Sequence, residues 1–237
     1  MIGYYNYTVI LTYASLLSAG LGIVISLSGD GHPYIGTIFL LICGLLDAFD
    51  GQVARTKKDR TQAERSFGIQ IDSLTDLVAF GVLPACIGMS LINTTPLLKS
   101  FFDMRTEKPM YMLLCGLLLA VLVLYILAAL IRLAYFNVLE EDRHRAEGGG
   151  KNKVYIGLPV TISSLIFPNV MLFRYIFPSA SDWISVIYFV VAIIVGFLFL
   201  AKVKFPKAGV RGIIIMVTIG CIETALLIVA LCLKGVG

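Results

Sequence analysis

The apolar residues of this chain are gathered into seven long blocks, near residues 8–28, 34–54, 68–92, 110–136, 155–177, 183–201 and 211–233. Each is long enough to cross a hydrocarbon layer of roughly 30 Å, which takes about 20 helical residues. A soluble core has no use for so much apolar sequence. Of the 237 residues 58% are apolar and only 14% charged, against about 25% charged in soluble domains. The blocks predict an all-α, polytopic transmembrane helical bundle that forms a single integral membrane domain over residues 1–237.

The second block carries the first hint of function. Its apolar run, Ile35 to Leu46, interrupted only by Thr37, is 12 residues long and too short to span alone. That helix must therefore take Asp47 and Asp50 into the membrane with it. Orientation follows from the bases: residues 55–65, 143–153 and 202–211 hold thirteen of the nineteen Lys and Arg. The other side holds Lys99, Arg105, Lys108 and Lys234, while Arg132 and Arg174 lie within spans. Basic loops stay on the cytosolic side, so the N-terminus and the inner ends of spans two and three are expected there. The net charge of +4 is small and dispersed, which argues against nucleic acid as a partner. Cys43, Cys86, Cys115, Cys221 and Cys232 are widely spaced inside apolar blocks and read as small core residues rather than a disulfide or metal pattern. The opening MIGYYNY lacks a basic leader region, and the first block is expected to remain as an uncleaved span. Residues 137–153, rich in charge and ending in three glycines, read as a solvated connection.

Ionisable groups inside spans are costly and mark function by default. Five acids fall there: Asp47, Asp50, Asp72, Asp76 and Glu223. At 100° per residue, Asp47, Asp50, Gly51 and Ala54 share an arc of about 100° on one helix, and Gly68, Asp72 and Asp76 an arc of about 80° on the next. Four facing carboxylates repel, so a stable site needs cations between them. Hard divalent ions with oxygen ligands suit such a set, and Mg²⁺ is commonly held by carboxylates together with substrate phosphates. Gly51, Ala54 and Gly68 leave room for a ligand to approach the backbone, and Arg55 offers a fork for phosphate. The alternative, interfacial acids beside glycines that merely allow close packing, does not explain seven coordinated positions on consecutive helices. Glu223 stands apart from this set, and its pairing cannot be read from sequence.

DAFDGQVAR at 47–55 and GIQIDSLTD at 68–76 resemble the signature of the CDP-alcohol phosphotransferase family, D-x-x-D-G-x-x-A-R, a spacer, then G-x-x-x-D-x-x-x-D. The resemblance implies a six-helix core, about residues 8–207, followed by an additional span at about 211–233. It also implies a polytopic enzyme, often a homodimer, that cleaves the pyrophosphate of a CDP-linked alcohol or lipid, releases CMP and joins the phosphoryl group to a hydroxyl. By position, Asp47, Asp50, Asp72 and Asp76 would hold two divalent ions, Mg²⁺ or Mn²⁺. Gly51, Ala54 and Gly68 would line the cytidine pocket, with Asp47, Arg55 and Asp72 around the nucleotide, and Asp76 would be the general base. The spacer departs from the pattern: Thr56 to Phe67 is twelve residues where the family usually has eight.

FGVLPA at 80–85, RLAYFNV at 132–138, GLP at 157–159 and FLAKVKFPK at 199–207 resemble the phosphatidylserine synthase branch of that family. This resemblance implies CDP-diacylglycerol and serine as substrates, with the site facing the cytosol. Tyr135 stands where an Arg is common, and Thr12 and Ser15 stand where a Thr and an Asn often help to bind the nucleotide. Arg132 would hold the lipid-linked phosphate or the serine carboxylate, its alternative being to snorkel to the interface. Glycerol phosphate, inositol, an inositol phosphate or an ether-lipid donor are alternatives of the same chemistry. A cation transporter is the rival from another class, since in-membrane acids also line ion paths; it predicts acids spread through the membrane depth.

Overall fold

A computed structural model of the chain describes residues 3, 7–57, 59, 61–102, 109–145, 154–206 and 210–234. After a short 3₁₀ turn, Tyr7–Val9, the helices are α1 Ile10–Leu27, α2 Pro33–Thr56, α3 Gln62–Asp76, α4 Leu83–Thr94, α5 Pro96–Phe102, α6 Pro109–Arg145, α7 Ser163–Ile176, α8 Ser181–Leu200 and α9 Val210–Lys234. A π-helical turn, Leu77–Val82, joins α3 to α4, so residues 62–94 form one rod. The expected all-α bundle is therefore what the chain adopts, with a long helix in each of its seven apolar blocks. Five of the helical stretches are long and apolar enough to cross a membrane, and Val160–Ile176 and Val217–Val229 are shorter apolar helices. The protein is a multi-pass integral membrane protein.

α2 is the axis of the bundle and packs against α1, α4, α7 and α9, while α6 packs against α8 and the π turn. Small residues make these approaches possible. A Cβ on Gly22 would lie 2.8 Å from Phe39, and one on Gly88 would lie 2.8 Å from Leu122. The core between the helices is built from Phe80, Leu83, Ile87, Leu91, Phe167, Met171, Tyr188 and Phe199, all buried. Leu113, Leu117, Val123, Leu124 and Leu127 of α6, and Ile193, Ile194 and Phe197 of α8, are turned outward, as side chains are where the solvent is lipid. Cys43 is buried, but Cys221 and Cys232 are exposed on α9. These two are therefore surface residues rather than the core residues expected.

Three boundaries differ from the sequence reading, each for a physical reason. The fifth block does not begin a helix at 155, because residues Val154–Ile156 form a strand, β1, which pairs antiparallel with β2, Lys204–Pro206. Gly157 follows at φ +80°, a conformation open to glycine, and Pro159 then precedes the 3₁₀ entry to α7. α7 keeps 14 residues, about 21 Å of helix. Next, α6 runs to Arg145, so residues 137–145 are helical rather than part of a loop, and residues 146–153 lie outside the described set. Lastly, the four extra spacer residues are taken up mostly as helix. α3 starts at Gln62, where Thr61 and Glu64 form a reciprocal capping box, and Lys57 closes the link by an ion pair with Glu64 at 2.8 Å. Residues 57–61 alone separate α2 from α3.

Candidate active site

The capping box sets where α3 begins, and its length then carries Asp72 and Asp76 to the level of Asp47 and Asp50 on α2. Carboxylate oxygens of Asp47, Asp50 and Asp72 all lie within 4.8 Å of one another. Asp76, one turn further along α3, is held among the charges of Asp47, Asp72 and Asp50. Two helices thus bring together the four acids that sequence spacing singled out. From α1, the Thr12 hydroxyl donates to Asp50 Oδ2 at 3.4 Å. Ser15, one turn along α1, is packed instead on Cys43, whose thiol donates to the Ser15 carbonyl at 3.4 Å. Gly68 lies on α3 one turn before Asp72. Gly51, Ala54 and Arg55 continue α2 toward its end at Thr56, and their side-chain surroundings lie outside the described set, as do Lys58 and Arg60 of the link.

The donor set suits a hard divalent cation: three carboxylates, oxygen only, close enough together to share one ion or a pair. A divalent-metal site at Asp47, Asp50 and Asp72 fits these residues. The same geometry argues against an ion path. The acids gather at one end of α2 and α3 rather than spreading through the membrane depth, and Glu223, outside the cluster, is 3% exposed and accepts a hydrogen bond from Asn169 Nδ2 of α7.

Beside the cluster, two cross-links went unassigned in the sequence. Ser73, next to Asp72, exchanges hydrogen bonds with Asn137 of α6, at 2.7 Å from the amide nitrogen and 3.1 Å to the amide oxygen. Both residues lie inside recognised strings, DSL and RLAYFNV, which was the available signal. Arg132, five residues earlier on α6, is 6% exposed, so it does not snorkel. Its Nε donates to the Leu158 carbonyl at 3.2 Å and its guanidinium lies over the Phe136 ring at 5.3 Å. The β1–β2 ladder explains why two separate strings are needed here: GLP at 157–159 and the region near 203 are hydrogen-bonded, Gly157 N to the Val203 carbonyl at 2.8 Å. A Cβ on Gly157 would meet Arg132 Nε and the Phe199 carbonyl, each at 3.1 Å.

These features define an integral membrane enzyme class built on a carboxylate cluster at one end of a helical bundle. The profile of the CDP-alcohol phosphatidyltransferase family matches residues 5–234, and the chain belongs to that family. It is a phospholipid-biosynthetic transferase, not a transporter. Among curated relatives, archaetidylserine synthase of Methanothermobacter thermautotrophicus is 29% identical over 199 residues, 84% of this chain and 70% of that protein. The CDP-diacylglycerol–serine O-phosphatidyltransferase of Saccharomyces cerevisiae is 31% identical over 137 residues, 57% of this chain and 41% of that protein. The protein of the same description from Methanocaldococcus jannaschii is 26% identical over 198 residues, 82% of this chain and 72% of that protein.

Proposed function

We propose that the chain transfers a phosphatidyl group from CDP-diacylglycerol to the hydroxyl of L-serine, giving phosphatidylserine and CMP, at the cytosolic face of its membrane. The observation that carries this reading is the convergence of the Asp47, Asp50 and Asp72 oxygens within 4.8 Å inside the family signature. Serine is favoured because the relatives' descriptions share it, including the one whose donor is archaetidyl. An ether-lipid CDP donor is the second reading, since the tails stay in the bilayer and the head-group chemistry is unchanged.

In the reaction the serine oxygen attacks the phosphorus that bears diacylglycerol. A new phosphorus–oxygen bond to serine forms, the bond to the bridging pyrophosphate oxygen breaks, and CMP leaves with that oxygen. A serine hydroxyl is a weak nucleophile, so its proton must pass to a positioned base. Asp76 takes that role, accepting the proton on its carboxylate. Mg²⁺ or Mn²⁺, one ion or two, held by Asp47, Asp50, Asp72 and Asp76, would neutralise the pyrophosphate and the departing phosphate. Thr12 orients Asp50, while Gly51, Ala54 and Gly68 line the cytidine side with Arg55 near the phosphates. Ser15 backs that wall from α1 through its contact with Cys43. Arg132, buried under the Gly157–Pro159 turn, would offer its guanidinium edge to the lipid-linked phosphate or the serine carboxylate. The working unit is a single membrane domain, residues 8–207 forming the core and 211–233 an added span, paired as a homodimer.

Purified protein in detergent, given CDP-diacylglycerol, Mg²⁺ or Mn²⁺ and each alcohol separately, should release CMP and form phosphatidylserine with serine alone. A product with inositol or glycerol phosphate but not serine would reject the acceptor. Asp76→Asn should lower CMP release by about 10²–10⁴-fold, and excess EDTA should abolish it until metal is restored. Replacing the donor by its ether-lipid counterpart separates the two donor readings.

A further inference from the structure

Asp76 is the last residue of α3, and the π turn Leu77–Val82 begins directly after it. The sequence explains why the α pattern gives way there. Pro84 has no amide hydrogen, so the carbonyl of Phe80, four residues earlier, loses its α-helical donor. Phe80 is fully buried, and a carbonyl at membrane depth needs a partner from the protein. Tyr125 of α6 supplies it, its hydroxyl donating to the Phe80 carbonyl at 2.6 Å. Ser163 of α7 lies 3.3 Å from the same oxygen, but its single proton has a nearer acceptor in the Val160 carbonyl at 2.7 Å. Tyr125 is therefore the principal donor.

The surroundings hold that donor in place. The Tyr125 ring makes an edge contact with Phe167 at 5.4 Å and a tilted one with Phe199 at 5.7 Å. Gly81 lets α6 approach: a Cβ there would lie 3.3 Å from Ala129, one turn along α6 from Tyr125. A π turn contains one residue more than an α turn, so the helix beyond it is rotated by about 100° relative to an unbroken α-helix. Such a turn can move along a rod one residue at a time. If it moved toward α3, Asp76 would swing away from Asp47 and Asp50 while Asp72 stayed.

We propose that the Tyr125 hydroxyl, acting through the Phe80 carbonyl, fixes where the π turn sits and so aims Asp76 at the other three carboxylates. Tyr125 is a positioning residue: its side chain is buried and its hydroxyl bonds the Phe80 carbonyl rather than any of the four carboxylates. The inference rests on Asp76 working as the base of the proposed reaction. Tyr188 supplies an internal control, because its hydroxyl makes the same kind of bond to the Pro84 carbonyl at 2.7 Å, further from Asp76.

The test compares full-length Tyr125→Phe and Tyr188→Phe with the unsubstituted protein in detergent by CMP-release kinetics, thermal unfolding and Mn²⁺ binding followed by EPR without substrate. Tyr125→Phe should lower kcat by about ten- to a hundredfold with KM for the CDP-lipid within about threefold, and should weaken Mn²⁺ binding several-fold. Tyr188→Phe should keep kcat and Mn²⁺ binding within about twofold while losing a similar amount of thermal stability. Equal kcat losses in the two variants, or unchanged kcat and Mn²⁺ binding in Tyr125→Phe, would overturn the proposal. If Tyr125→Phe does not fold, Pro84→Ala decides. It returns a donor to the Phe80 carbonyl and lets the rod relax, so kcat should fall while thermal stability holds or rises, and an unchanged kcat refutes the idea. An Asp76→Asn variant of full activity would remove the base assignment, and the Mn²⁺ comparison would still judge the positioning role separately.

Discussion

The two ends of α2 handle charge in opposite ways. At one end, Asp47 and Asp50 meet Asp72 and Asp76, like charges that the fold gathers despite their repulsion. At the other end, about 24 Å along the axis, Arg174 of α7 is surrounded by neutral hydroxyls. Its Nε donates to Ser185 at 2.8 Å, one terminal nitrogen donates to Tyr34 at 2.7 Å and the other to Thr95 at 3.4 Å. The guanidinium also lies over the Tyr34 ring at 5.4 Å. Thr95 and Ser185, both buried, complete the set by a mutual hydrogen bond at 3.0 Å. Three helices, α2, α7 and α8, and the junction between α4 and α5 are tied together there by one side chain. The contrast separates two uses of an in-membrane charge: a group matched to its neighbours braces helices, whereas groups mismatched with theirs await something from outside.

The largest effect should come from neutralising the mismatched end. Asp50→Asn keeps the shape of the side chain and its contact with Thr12, but removes one of the charges proposed to hold the metal. CMP release should fall by about 10³-fold or more, while the thermal midpoint without metal holds or rises, because a like-charge contact has been relieved. Mg²⁺ or Mn²⁺ should stabilise the unsubstituted protein and have a much smaller effect on the variant. Loss of stability with activity retained would reverse the assignment of this end from function to structure.

Arg132 tests the middle of the comparison, being a buried cation close to the carboxylate end yet bonded to a backbone carbonyl. Gly157→Ala perturbs it without touching it. The φ of +80° alone costs a non-glycine residue about 1–2 kcal/mol, and the new methyl must displace Arg132 or the Phe199 carbonyl. The expected result is a drop in kcat of roughly ten- to a hundredfold together with lower thermal stability. Normal turnover in a destabilised Gly157→Ala protein would make the Arg132 latch a brace only, like Arg174.

Arg174 itself should affect stability alone. Arg174→Met removes three hydrogen bonds but leaves Thr95 and Ser185 paired, so unfolding in detergent should become easier by about 1–3 kcal/mol. The turnover of the folded fraction should match that of the unsubstituted protein. A variant as stable as the original but slow to release CMP would show that the far end communicates with the site.

Much of this contrast is legible in the sequence, and the missing part has a common cause. Apolar block length locates the long helices but not the short α5, because the bilayer fixes how much sequence a span requires. The spacing of Asp47, Asp50, Gly68, Asp72 and Asp76 places the acids on facing arcs, because both helices obey the same 3.6-residue period. What cannot be read are contacts chosen by tertiary packing between residues far apart in the chain. Strand β1 pairs with β2 across about fifty residues, and each is three residues long, too short for an alternating pattern to show. Arg174 finds Tyr34 from 140 positions away. Pro84 signals a break in helical bonding, but the site where the rod adjusts depends on Tyr125 meeting Phe80. The longer spacer has a different explanation: T-Q-A-E at 61–64 forms a capping box, and helix geometry then absorbs the extra residues.

Glu223 is the sharpest remaining test, since it belongs to neither end. It lies on α9, 3% exposed, with Oε1 accepting from Asn169 and Oε2 without a partner among the described residues. By the contrast drawn above, a charge with one good neutral partner and no gathering of like groups is a brace. Glu223→Gln keeps the Oε1 acceptor and removes the ionisable group, so CMP release should remain within about twofold and stability within about 1 kcal/mol. Glu223→Leu leaves the Asn169 amide without its acceptor on α9 and should destabilise by about 1–3 kcal/mol, again with normal turnover of the folded protein. Parallel activity and unfolding measurements on the two variants separate the roles. A Glu223→Gln protein that folds normally but turns over as slowly as Asp50→Asn would place a second functional carboxylate outside the cluster.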